Sequence, residues 1–275
     1  MSSELAYDRK GAGEPVVLLH GIGHRRQAWS PIFDTLAGDY DVIAFDLAGF
    51  GQSPPLPTSM PYDMDHVCSH LTANFQSLGI DRPHVVGNSL GGAIALELGA
   101  RDAARSVTAL SPAGFFGPAN RFIALAQLIA LRAVSLASPD VVLRAVSATS
   151  LGRRIIGSAL YAHPERVDAA ATLGDARAMK ASKAFERVAL SAMRYRFSRK
   201  ISVPTTVVWG TRDRLLPYAQ SATARERLPE AEHVGLVDAG HVPMVDQPDK
   251  IVRLISETIA RSHVSGVGQA ATGAA

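Results

Sequence analysis

Apolar residues fall along this chain in short runs: VVLLH at 16–20, DVIAF at 41–45, HVVG at 84–87, VTALS at 107–111, TTVVWG at 205–210 and HVGLVD at 233–238. Runs this short, rich in β-branched residues and bounded by Gly, Pro and Asp, predict strands covered on both faces. The segments 28–37, 63–79 and 91–102 between them carry helical composition and spacing. Strand and helix in alternation predict an α/β fold, a doubly wound, mostly parallel sheet with helices on both sides.

The alternation stops once. From 114 to 200 no convincing strand occurs, only Ala-, Leu- and Arg-rich sequence broken at Ser138-Pro139, Gly152, Gly157, His163-Pro164 and Gly174. Four or five helices are expected there, forming a helical cap (114–200) inserted into one discontinuous core domain, 1–113 with 201–262. Its first segment, NRFIALAQLIALRAVSLAS, is apolar on nearly every face, so it is expected to be buried or to line a cavity. Arg132 within it speaks against membrane insertion, and no segment reads as a bilayer span. Residues 263–275, small and polar, are expected to be a disordered tail.

Composition narrows the class. With 275 residues, 47% of them hydrophobic, the chain can build a large core. One cysteine, Cys68, excludes an intramolecular disulfide, and MSSELAYDRKGAGEP lacks the apolar stretch of a leader. A cytoplasmic protein is expected. The net charge of +3 is uneven, because residues 119–200 hold 14 Lys and Arg against 5 Asp and Glu. No stacking aromatics or nucleic-acid motif accompany them, so no nucleic-acid partner is expected and the excess reads as a solvated helical surface.

Chemistry concentrates in VVGNSLGGAIALELGA, residues 85–100, where a buried strand runs straight into a helix through Gly-Asn-Ser-Leu-Gly. Gly87 and Gly91 permit so sharp a reversal. Ser89 at its centre is explained by a nucleophile raised clear of the sheet. A serine hydroxyl needs a base, and His241 in DAGHVPMVDQP follows the last predicted strand. The base needs an orienting carboxylate, for which Asp213 in VVWGTRDRLLP lies at the same sheet edge, with Asp238 as its rival. His66 and His70, four apart with Asp63 and Asp65 nearby, have metal-ligand spacing but no third ligand, so no metal site is expected. His20 reads as tying loops together, His24 as an exposed neighbour of the loop after the first strand, and Asp46 and Ser53 as turn residues.

The order Ser89, Asp213, His241, with HGIG at 20–23, DLAGFGQS at 46–53, GNSLGG at 87–92, GTRD at 210–213 and GHVPMVDQP at 240–248, resembles the α/β-hydrolase superfamily from about residue 5 to 262. The resemblance implies a Ser-Asp-His triad, an oxyanion hole made by the backbone N–H groups of Ile22 and Leu90, and acyl transfer to water with no cofactor and no metal. Serine at position 89 in place of aspartate argues against epoxide hydrolases and dehalogenases.

Trp29, Phe115, Phe116, Phe122, Leu125, Leu128, Ile129 and Met244 are candidates for an apolar pocket wall. They favour a small to medium apolar ester as substrate, with water as co-substrate. Two alternatives stand beside this. One is hydrolysis of a carbon–carbon bond in ring-cleavage diketones, although HGIGHRR departs from the Gly- and Pro-rich turn of those enzymes; haloperoxidase-like relatives share the triad. The other is a ligand-binding receptor that keeps the fold without turnover.

Overall fold

The computed structural model describes residues 3–117, 120–192 and 194–272. Seven strands form one sheet: β1 (Tyr7–Lys10), β2 (Pro15–Leu19), β3 (Asp41–Phe45), β4 (His84–Asn88), β5 (Ser106–Leu110), β6 (Thr205–Gly210) and β7 (Glu232–Leu236). Their order is β1-β3-β2-β4-β5-β6-β7, with only β1 antiparallel to its neighbour. The six apolar runs are β2 to β7. β1, sequence YDRK, has no apolar run and is largely exposed, so nothing in the pattern announced it.

Alternation along each strand sorts the core into two layers. Val17, Leu19, Ile43 and Phe45 face one cluster; Val16, Leu18, Val42 and Ala44 face the other. Helices α1 (Ser30–Leu36) and α11 (Pro248–Thr272) pack together, as do α2 (Met64–Ser77) and α3 (Leu90–Ala100). Ile251, Ile255 and Ile259 of α11 and Ile32 and Leu36 of α1 fill the second layer, while Phe75 of α2 and Ile94 and Leu98 of α3 fill the first. The chain leaves β2 for β3 on one side and returns to β4 on the other. Such a switch point opens a crevice at the carboxyl ends of β2 and β4.

Between β5 and β6 lie α4 (Asn120–Ala137), α5 (Asp140–Ala148), α6 (Ser150–Ile156), α7 (Ala169–Ala181) and α8 (Phe185–Ala192). Gly152 and Gly174 do not end helices as their sequence context suggested. Gly152 is required by a close approach, because a Cβ there would lie 2.0 Å from the Val146 carbonyl oxygen, whereas one at Gly174 would meet, at 2.0 Å, the movable end of the Arg25 side chain. α4 is not buried on most faces either; only its inner side meets protein. Short helices α9 (Gln220–Arg227) and α10 (Pro243–Asp246) complete the fold. The backbone of α11 continues through Thr272, so 263–272 are helical where an irregular tail was expected. A helix already nucleated on the core can propagate through small residues without further burial. Residues 273–275 lie outside the described residues.

Candidate active site

Ser89 stands alone between β4 and α3 at φ 57°, ψ −112°. A non-glycine residue there stores strain of about 1–3 kcal/mol. The turn is held from both sides. Ser89 N–H donates to the Leu110 carbonyl (2.9 Å), and the Ser89 carbonyl accepts from Ala93 and Ala113 N–H (3.0 Å each). A Cβ on Gly87 would sit 2.0 Å from the Gly91 carbonyl oxygen, and one on Gly91 would sit 2.0 Å from that of Leu19. Helix α3 therefore starts against the backbone of β2 and β4. Gly91→Ala is expected to cost about 2–3 kcal/mol by overpacking and to lower Tm by roughly 5–10 °C. Gly117→Ala, whose nearest neighbour would be 3.6 Å away, should leave Tm unchanged in the same calorimetric scan.

His241, buried on the loop after β7, meets Asp213, buried on the loop after β6. His241 Nδ1 donates to Asp213 Oδ2 at 2.8 Å. The other carboxylate oxygen accepts Leu215 N–H (3.0 Å) and Leu216 N–H (2.8 Å). Three donors thus fix the carboxylate and keep the His241 proton on Nδ1, which leaves Nε2 as a lone pair. Nε2 is buried and makes no protein hydrogen bond, and His241 lines the same cavity as Ser89. Asp238 takes no part. It is half-exposed and pairs with His163 Nε2 (2.9 Å) and Arg212 (2.8 Å).

Asn88 was not singled out from the sequence. Its side-chain amide donates to the His241 carbonyl (2.8 Å) and the Leu110 carbonyl (3.1 Å), tying the histidine loop to the serine turn. Asp246 braces the same loop by accepting Gly240 N–H (2.7 Å) and Ala162 N–H (3.1 Å). Both are polar residues among apolar ones, a weak signal because buried polar residues serve many loops.

His20 is buried between two backbone partners. Leu47 N–H donates to Nε2 (3.0 Å), so Nδ1 carries the proton and donates to the Gly21 carbonyl (2.7 Å). Burial pushes its pKa down to about 4, against the pull of Asp46. Holding that carbonyl also fixes the planar peptide it shares with Ile22 N–H. The N–H groups of Ile22 and Leu90 find no protein acceptor among the described residues. Ile22 lines the same cavity as Ser89 and His241, and Leu90 is the first residue of α3, where a helix leaves N–H groups unpaired. Asp46 and Ser53 act as turn residues: Asp46 accepts Arg26 and Gln52 N–H, and Ser53 Oγ donates to the Asp46 carbonyl.

Two apolar cavities meet at Ser89. The larger, about 110 Å³, is roofed by α4 and α7 through Leu128, Leu131 and Met179. The smaller, about 50 Å³, is lined by Phe116, Leu125, Leu128 and Leu216. Of the pocket candidates, Phe116, Leu125 and Leu128 line one or both of these cavities and the other five line neither. Trp29 and Met244 are fully buried in the layer under α1 and α11, and Phe115 packs on Phe197 and Trp209 in the other layer. Phe122 and Ile129 point outward, 61% and 52% exposed.

The larger cavity has one polar end. Asp175 of α7 pairs with His24 Nε2 (3.3 Å) and Arg25 Nε (3.0 Å), so His24 is buried rather than exposed. Burial alone would raise the Asp175 pKa, but His24 and Arg25 hold it below the usual carboxylate range.

Elsewhere, His66 pairs with Asp63 (2.7 Å) and His70 with Ser3 (3.2 Å), so the two do not converge on a metal. Among the described residues one His/carboxylate cluster, Glu14, His84 and His263, brings donor atoms within 4.8 Å. It lies at the amino ends of the strands, and Arg105 and His263 already pair with its carboxylate. Burial pushes the Cys68 thiol up to about 12, as suits an inert core residue.

A strained serine between strand and helix, a histidine–aspartate pair from the last two strand ends and a switch-point crevice define a hydrolase architecture. The chain belongs to the alpha/beta hydrolase fold family, whose model matches residues 14–248. It is 28% identical to Lipase 3 of Moraxella sp. (strain TA144), over 85% of this chain and 73% of the lipase. A thermophilic esterase from Thermogutta terrifontis shares the fold with a TM-score of 0.73 and 23% identity, over 94% of each chain. A meta-cleavage product hydrolase from Pseudomonas fluorescens does so at 0.72 and 21%, again over 94% of each chain.

Proposed function

We propose that this protein is a serine hydrolase that cleaves a small to medium apolar ester through an acyl-enzyme. The observation that carries the reading is the Asp213–His241 pair, whose Nε2 lone pair is unpartnered in the cavity that also receives Ser89. In this mechanism Ser89 Oγ attacks the ester carbonyl while His241 Nε2 takes its proton, and Asp213 stabilises the imidazolium. The N–H groups of Ile22 and Leu90 receive the developing oxyanion, a contribution of several kcal/mol for a pair of such donors. His241 then returns the proton to the departing alkoxide. Water, deprotonated by His241, releases the acid and restores Ser89.

Ester rather than carbon–carbon cleavage is supported by the apolar walls on both sides of Ser89. In addition, Arg25 is engaged with Asp175, and Arg121, which borders the smaller cavity, lies over the Phe116 ring, instead of being offered to a substrate carboxylate. The likeness to the meta-cleavage hydrolase, at 21% identity, carries the fold and no substrate.

The test is incubation with a fluorophosphonate, followed by peptide mass spectrometry and turnover of nitrophenyl esters of increasing acyl length. One adduct per chain on the Ser89 peptide, with turnover falling in step, is expected. Complete labelling without turnover of any ester points instead to a ligand-binding protein of the same fold. Turnover confined to a vinylogous ring-cleavage diketone points to carbon–carbon hydrolysis.

A further inference from the structure

Of the fourteen large apolar side chains exposed among the described residues, ten lie on the helices inserted between β5 and β6. The densest set is on α4. Its outward positions, 122, 123, 126, 129, 130, 133, 134, 136 and 137, hold only Phe, Ile, Leu, Val and Ala. Both arginines of the helix, Arg121 and Arg132, lie off that face; Arg132 donates to the Met179 and Ser182 carbonyls and stacks on Phe185. By length and composition α4 could cross a membrane, which the sequence reading did not expect. Its inner face, however, is built into the protein, where Leu125, Leu128 and Leu131 pack on Met179, Phe185 and Ala189. A helix with one face fixed in the protein and the other wholly apolar suits an interface, not a span.

We propose that α4, which borders the Ser89 cavity together with Leu143 of α5 and Ile156 of α6, docks this protein onto the surface of an anionic lipid bilayer, with Phe122, Ile129 and Leu136 entering the boundary between headgroups and acyl chains. Charge selects the occupant. The inserted region carries 14 Lys and Arg against 5 Asp and Glu. Arg144 on α5, which shares Asp140 with Arg177, and Arg154 on α6, paired at 3.8 Å with Glu165, are both about two-thirds exposed and stand among the exposed Val141, Leu151 and Ile155. A second copy of the same face would set like charges together, whereas acidic headgroups neutralise them. If the ester hydrolase reading holds, the docked face also places lipid close to the site, because Leu128, Leu131 and Val134 of α4 line the cavity that contains Ser89.

The test is sedimentation of the full chain, carrying Ser89→Ala to prevent lipid turnover, with sucrose-loaded vesicles of phosphatidylcholine alone or with about 30% phosphatidylglycerol. Sedimentation with the anionic vesicles, weakening as salt is raised, is expected. Ile129→Glu and Leu136→Glu should each lower the partition coefficient about tenfold. In the Ser89 background the same two substitutions should leave soluble-ester turnover unchanged, since neither residue lines a cavity. Equal sedimentation of parent and variants overturns the proposal, as does no sedimentation at about 1 mM anionic lipid, or a solution dimer that Ile129→Glu dissociates. Failure of docking leaves the Ser89 reading intact, because fluorophosphonate labelling needs no membrane.

Discussion

Ser89→Ala is expected to lower kcat for a nitrophenyl ester by at least about 10⁴-fold, the scale on which loss of a triad nucleophile acts, with KM little changed. The substitution removes one oxygen and leaves the cavity walls and the Asp213–His241 bond in place. The fold should not register it, because Ser89 is tied down through its backbone N–H and carbonyl, not through its side chain. Ser89→Gly separates the two demands on this position. Glycine relaxes a residue at φ 57°, so the variant should be as inactive as Ser89→Ala yet more stable by about 1 kcal/mol or more. That pairing, activity lost and Tm raised, is expected where strain is retained for catalysis. Turnover within tenfold of the parent in either variant would remove Ser89 from the reaction. A lower Tm in Ser89→Gly would mean that the turn serves packing.

What could be read from the chain, and what could not, follows from how each signal is encoded. Strands β2 to β6 are buried on both faces, so their apolar runs stand out, and β7 keeps its run although it is a half-exposed edge; β1 joins β3 at the other edge by backbone pairing, an Arg9–Asp41 ion pair and a Tyr7–Phe45 ring contact, and YDRK carries no apolar run. Ser89, Asp213 and His241 were legible because each follows a strand whose end can be located. Asp213 outranked Asp238 by its place after β6, and the structure separates the two by their partners. The pocket wall was not legible. Trp29, Phe115 and Met244 are as apolar as Phe116 and Leu128, and periodicity reports which side of an element is apolar without saying whether that side meets core, cavity or solvent. The same blindness affected α4, whose even apolarity reads as burial although half of it faces outward. Asn88 and Asp175 act through long-range partners that no local pattern records.

Asp213→Asn tests the most specific part of the arrangement, the position of a single proton. In the native pair, Oδ1 is occupied by Leu215 and Leu216 N–H and Oδ2 receives the proton of His241 Nδ1. Asparagine has one oxygen and one NH₂ group. The two backbone donors require the oxygen on their side, so the NH₂ must face His241 and can only donate to it. The imidazole is then forced to carry its proton on Nε2, where it meets Ser89 as a donor and no longer as a base. A loss in kcat of about 10⁴-fold is expected, with KM and Tm near those of the parent, because shape and packing are conserved. Asp238→Asn should change kcat less than twofold, since Asp238 serves only His163 and Arg212 at the surface. The reverse pattern, Asp238→Asn inactive and Asp213→Asn active, would transfer the orienting role to Asp238. Equal activity in both would mean that His241 needs no carboxylate, so that its tautomer is set by the loop that Asn88 and Asp246 brace.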